Sequence, residues 1–126
     1  MKASYKARDK SHARIYAHWE TLPAWYTLSV YARAILTELL KDYRAGKNFL
    51  LLSDAAAARR ANCCRSRAAK AIGELLEKGW IGIARMGRIH GPKAKRCSAY
   101  YLTMYPEEIG LPATHAYRNW RPLQTA

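Results

Sequence analysis

The apolar residues of this chain fall into blocks with different periods. Ala32, Ile35, Leu36, Leu39 and Tyr43 recur at three- and four-residue steps, the spacing of one helix face. Ser29 ahead of them is a good N-cap, and Gly46 with Asn48 just beyond is a stop, so a helix is expected from Val30 to about Arg44. The run FLLLS, Phe49–Ser53, is too short for a helix between those signals and reads as a short strand or extended connector. From Asp54 the helical period returns twice. DAAAARRA is built on alanine, the strongest helix former, with Ser53 or Asp54 as its cap. RSRAAKAIGELLEK puts Ala68, Ala71, Ile72, Leu75 and Leu76 on one face and is closed by Gly79. Between the two stands ANCC. Its Asn62 is one of the few non-glycine types that tolerate left-handed backbone, which a tight turn between helices requires.

After Gly79 the residue types become β-prone. WIGIARMG and CSAYYLTMY carry Trp80, Ile81, Ile83, Tyr100, Tyr101, Leu102 and Tyr105. Tyr100 and Tyr101 alternate across their strand, so one of them faces the core. The polar linker RIHGPKAKR, with Gly91-Pro92, predicts a hairpin with a long loop. Upstream, Ile15–Trp19 predicts a short helix or turn that Pro23 ends. Downstream, PEEIGLPATHAYRNWRPLQTA has three prolines and little periodicity, with Tyr117 and Trp120 able to pack back, through one helical turn. The expected organisation is a basic N-terminal arm (1–14), a domain (15–105) and a C-terminal extension (106–126) lying on the domain or on a dimer partner.

Charge changes the picture. The chain has 126 residues, enough for one core, and half of them are apolar. It carries 22 Lys and Arg against 9 Asp and Glu, a formal charge of +13. Self-repulsion on that scale points to a polyanionic partner, nucleic acid first and an acidic membrane surface second. No segment approaches the roughly 18 apolar residues of a membrane span, and the basic N-terminus lacks the apolar core of a secretory signal. Three cysteines argue against a disulfide framework. The expected location is the cytoplasm, with the nucleoid when bound.

The order helix, short strand, helix, turn, helix, hairpin is that of a winged helix-turn-helix. The fold class expected is mainly α with a β-hairpin wing: a three-helix core beside a small two- to three-stranded sheet. LSDAAAARRANCCRSRAAKAIGELLEKGWI, Leu52–Ile81, resembles the helix-turn-helix and wing start of bacterial winged-helix DNA-binding proteins. Their second helix ends in EL-x-x-x-G-[FW]-I, matched by Glu74, Leu75, Gly79, Trp80 and Ile81. LPAWYTLSVYARAILTELL and PATHAYRNW also resemble small winged-helix proteins of bacteria, often carried on phages and mobile elements. The resemblance covers roughly residues 19 to 120. It departs at two positions: Asn62 stands for the turn glycine, and Cys64 for the usual Ser or Thr cap.

The resemblance implies that the second helix enters the DNA major groove with its N-terminal residues nearest the base edges. Arg65, Ser66, Arg67 and Lys70 face outward there, and arginine donates bidentately to guanine. Arg59 and Arg60, ending the preceding helix, suit phosphate clamping. From Ala55 to Gly73 there are five basic residues and no acid. The wing adds Arg85, Arg88, Lys93, Lys95 and Arg96, with His90, and its Gly91-Pro92 tip suits a minor groove or the phosphates. The bland alternative is a pair of solvated charged surfaces. Many members of the resembled family bind as dimers, and the first helix and the C-terminal tail, with Trp19, Trp25, Tyr117 and Trp120, mark where a homodimer surface would lie; the alternative is a monomer.

Other chemistries fit less well. Zinc sites need Cys-x2-Cys pairs with further ligands, whereas Cys63 and Cys64 are adjacent, Cys97 is distant and the four histidines are scattered. A helix N-terminus among arginines lowers a thiol pKa, which allows a redox role for Cys64; filling the turn is the simpler role for both cysteines. There is no Walker loop, no paired-histidine motif for a nicking tyrosine and no nucleophilic triad. The expectation is a non-enzymatic, sequence-specific duplex-DNA binder without cofactor, metal or small-molecule ligand, acting as a bacterial or phage transcriptional regulator. Alternatives are a plasmid or phage replication or partition factor, a basic RNA-binding or ribosome-associated protein, and a protein-interaction module.

Overall fold

The computed structural model describes residues 12–85, 98–108 and 110–123. Among them lie four α-helices and a three-stranded antiparallel sheet, a mixed α/β arrangement. The helices are α1 (Pro23–Tyr26), α2 (Val30–Asp42), α3 (Asp54–Ala61) and α4 (Arg65–Glu77). The strands are β1 (Leu50–Leu52), β2 (Ile81–Arg85) and β3 (Ser98–Leu102), in the order β1-β3-β2. Short 3-10 turns at Ala17–Thr21 and Ala116–Asn119 stand near either end.

The local signals act as expected at most boundaries. Ser29 Oγ accepts from the Ala32 amide, and Ser53 Oγ from the Ala56 amide, each satisfying an otherwise orphaned N–H. Asn62 is left-handed, at φ 56° and ψ 52°, and turns the chain between α3 and α4. Pro23 ends the 3-10 turn Ala17–Thr21, with Leu22 extended before it as a residue preceding proline should be, and it also opens α1, where its missing N–H is no loss. One boundary needs correction. Helix α2 ends at Asp42, short of Arg44, with Tyr43 extended.

The apolar stripes of α2, α3 and α4 meet in one core with Leu50, Leu52, Ile81, Tyr100 and Leu102 of the sheet. Register places Leu50 opposite Tyr100, and Ile81 opposite Leu102. Strands β2 and β3 pair antiparallel as the hairpin reading requires. The linker that joins them lies outside the described residues.

The second half of the core is aromatic. Trp19, Trp80 and Tyr117 are fully buried. The rings of Trp80 and Tyr117 stack with centroids 4.3 Å apart, and Trp19 meets Trp80 edge-on at 4.9 Å. Trp80 Nε1 donates to the Ala24 carbonyl at 3.0 Å. Trp19 and Tyr117 are therefore core residues of a single chain, and a dimer surface cannot be built on them. Gly79 makes this closure possible. Its φ is +82°, and a Cβ there would lie 2.8 Å from the backbone of Ala116 and Tyr117.

Asn48 holds the end of the sheet. Its Oδ1 accepts from the Leu102 amide at 2.7 Å, and its Nδ2 donates to the carbonyls of Leu102, Tyr105 and Pro106. The sequence marks Asn48 only as part of a helix stop; its partners lie 54 or more residues away.

Candidate nucleic-acid interface

Helix α4 buries Ala68, Ala71, Ile72 and Leu75. Successive residues turn by about 100° around a helix, so the opposite ridge carries Ser66, Lys70, Gly73 and Glu77. All four are exposed. Arg65 and Arg67, separated by about 200° of rotation, flank this ridge on its two sides. Both are exposed, but their surroundings differ.

Arg65 faces the turn. It lines an open groove of about 350 Å³ together with Ala55, Ala58, Arg59, Asn62, Cys63 and Cys64. Arg59 is exposed and forms no ion pair with the described residues. Arg67 faces α2, where its Cζ lies over the Tyr31 ring, 5.0 Å from the centroid. That edge of α2 is fixed against α4, because Glu74 Oε2 accepts from the Ser29 amide at 2.7 Å. Tyr31 escapes a reading of the sequence, since nothing local marks it as a neighbour of Arg67. The apolar stripe of α2 with its N-cap is the one signal that would place it on the first turn.

Arg60 does something else. Its Nη1 and Nη2 donate to both carboxylate oxygens of Asp42 at 2.6 and 2.9 Å, and its Nε to Glu38 at 3.0 Å. Nη2 also reaches the Glu38 carbonyl. Its charge is satisfied by α2, so its assignment as a phosphate clamp gives way to a structural one. The same network holds the Glu38 carboxyl below its ordinary pKa, first through the hydrogen bond from Lys41 and then through Arg60. Lys78 is likewise unavailable: it is buried, with Nζ donating to the carbonyl and hydroxyl of Thr27 and to Glu74.

The N-terminal turn of α4 has no side-chain cap, as expected of Cys64. The Cys64 thiol is exposed, 3.3 Å from the Ser66 hydroxyl. That contact and, behind it, the amide and charge of Arg67 hold its pKa below the usual thiol value. Cys63 is half-buried and packs on the core, as turn filling requires. No group of three metal-ligating side chains exists among the described residues. No helix there is long and apolar enough to cross a membrane.

In the sheet, Arg85 ends β2 exposed, its Cζ 5.4 Å from the centroid of the Phe49 ring. The other cations expected in the wing, Arg88, Lys93, Lys95 and Arg96, lie outside the described residues with His90 and the Gly91-Pro92 tip. So do Lys2, Lys6, Arg8 and Lys10 of the N-terminal arm. Arg59 and Arg65 thus share the groove at the turn, Ser66 and Lys70 stand on the exposed ridge of α4, Arg67 lies on its α2 side, and Arg60 is engaged by α2. No family model, curated protein or solved structure matches the chain.

Proposed function

We propose that the chain is a winged helix-turn-helix protein that binds duplex DNA sequence-specifically, with α4 in the major groove. The observation that carries this reading is the set Arg59, Arg65, Arg67 and Lys70: exposed, free of carboxylate partners among the described residues, and gathered around the uncapped start of α4. Asp54 is exposed at the far, N-terminal end of α3 and forms no ion pair with the described residues, and the other acids of the helices lie away from that end. Glu38 and Asp42 are engaged by Arg60, Glu74 faces Ser29, and Glu77 is about 10 Å further along the ridge than Lys70.

The helix ridge suits a groove floor. Ser66, Ala69 and Gly73 are small, and nothing lies within 4 Å of a Cβ built at Gly73. Lys70 stands on the ridge, while Arg65 and Arg67 reach past it to base edges or phosphates on either side. Arg59 and the amides of the first α4 turn meet the backbone, since a helix N-terminus favours an anion. Arg85, exposed at the end of β2, is available for a further phosphate contact. The mechanism is docking without turnover, and the role that best suits it is transcriptional regulation in a bacterium or phage.

Selection of bound sequences from random duplex DNA tests this reading, with Arg65→Ala and Arg67→Ala alongside. The expected result is a defined site for the wild type. Each substitution should relax preference at its own base pair and weaken binding by roughly 1–3 kcal/mol if that arginine reads a base. Enrichment of no sequence, or a stronger preference for double-stranded RNA in direct competition, overturns it.

A further inference from the structure

Resting on the DNA-binding reading, we infer that Tyr31 of α2 is a positioning residue for Arg67, and that this pair, rather than Arg65, sets the main base preference of α4. The two arginines of the first turn are chemically identical, yet only one is held. The Arg67 guanidinium lies over the face of Tyr31, 5.0 Å from the ring centroid. Such a contact restricts a long side chain to a small part of its rotamer space and leaves the edge donors free for bidentate bonding. Arg65 forms no ion pair or cation–π contact with the described residues and lies beside an open groove. A free arginine loses its full side-chain freedom on binding, whereas a stacked one has already lost part of it.

The support of Tyr31 is itself rigid. It is half-buried on the first turn of α2, immediately before the fully buried Ala32. Ser29 caps that turn through Ala32, and its amide is tied to Glu74 one side of α4 further on. Glu74 also accepts from Lys78, which is anchored in turn on Thr27. The start of α2 and the flank of α4 carrying Arg67 therefore move as one piece. Rigid placement of a bidentate donor favours discrimination between bases, and a mobile cation favours sequence-independent phosphate contact.

The test compares Tyr31→Phe, Tyr31→Leu, Arg67→Ala and the double variant Tyr31→Leu/Arg67→Ala in duplex selection and competition. The readout is the affinity ratio between the best site and the same site changed at the base pair that Arg67→Ala identifies. A ratio taken within one preparation is unaffected by partial loss of folding. Tyr31→Phe keeps the ring and should keep the wild-type ratio. Tyr31→Leu should lower it roughly three- to ten-fold, at that base pair only. The double variant should be no worse than Arg67→Ala. An unchanged ratio in Tyr31→Leu, or additive losses in the double variant, overturns the inference while leaving duplex binding intact. Absence of duplex binding by the wild type removes the reading on which it rests.

Discussion

The aromatic seam and the α4 ridge are two regions of the same molecule built on opposite rules. In the seam the rings are fixed by several neighbours each, although Trp19 Nε1 is buried without a hydrogen-bond partner among the described residues. Trp80 is stacked by Tyr117, met edge-on by Trp19 and Trp25, and hydrogen-bonded to Ala24. On the ridge the side chains are small or charged, the first turn of α4 lacks a cap, and Lys70, with Arg65 beside the ridge and Arg59 at the end of α3, has no acidic partner among the described residues. Buried, closely packed rings supply stability; exposed cations held without counter-charges raise the energy of the free protein until an anion arrives. Arg59 and Arg60 show the same contrast within two consecutive residues.

The largest effect is expected in the seam. Trp80→Ala should cost about 3–5 kcal/mol of folding stability, read as a shift of the urea midpoint. Asn48→Ala follows, at about 2–4 kcal/mol, because the Leu102 amide and three carbonyls lose their partner in a site with little access to water. Stability within experimental error of wild type in either variant would erase the contrast drawn here.

The arginine pair sharpens it. Arg60→Ala should lower stability by about 1 kcal/mol, since the ions it joins are partly exposed. It should affect DNA affinity less than Arg59→Ala, which removes the same charge without disturbing α2. The effect has a defined pH dependence. The Glu38 carboxyl is depressed in the folded protein, so its contribution is present above its ordinary pKa and fades as pH falls through the lowered one. Wild type and Arg60→Ala should therefore converge in stability in acid, as measured by denaturation at a series of pH values. The smallest effect belongs to Cys64→Ser, a better cap for α4, expected to raise the urea midpoint slightly.

Local signals made the helices legible. The periods around Ile35 and Ile72, the caps Ser29 and Ser53 and the left-handed Asn62 each act over a few residues, so the sequence carries them without tertiary information. Pairing of β2 with β3 also followed from residue types and a turn-prone linker. Long-range partnerships were not legible. Asn48 looks like any residue after a helix-stopping glycine until Leu102 returns to it, and although the packing back of Tyr117 through one helical turn was legible, its ring partner Trp80 was not. The same limit applies at the interface. Arg59 and Arg60 are indistinguishable in a list of basic residues, because Glu38 and Asp42 lie 18 to 22 positions upstream.

The most direct measurement is the affinity for duplex DNA as a function of salt, in the wild type and in a variant with Arg59, Arg65 and Lys70 all changed to Ala. With about six phosphates neutralised, the logarithm of the wild-type binding constant should fall against the logarithm of salt concentration with a slope of roughly −5. The triple variant should bind more weakly with a slope shallower by about 2–3, its folding unchanged. A wild-type slope near zero, or a triple variant that binds with undiminished affinity and slope, contradicts docking through the exposed face of α4.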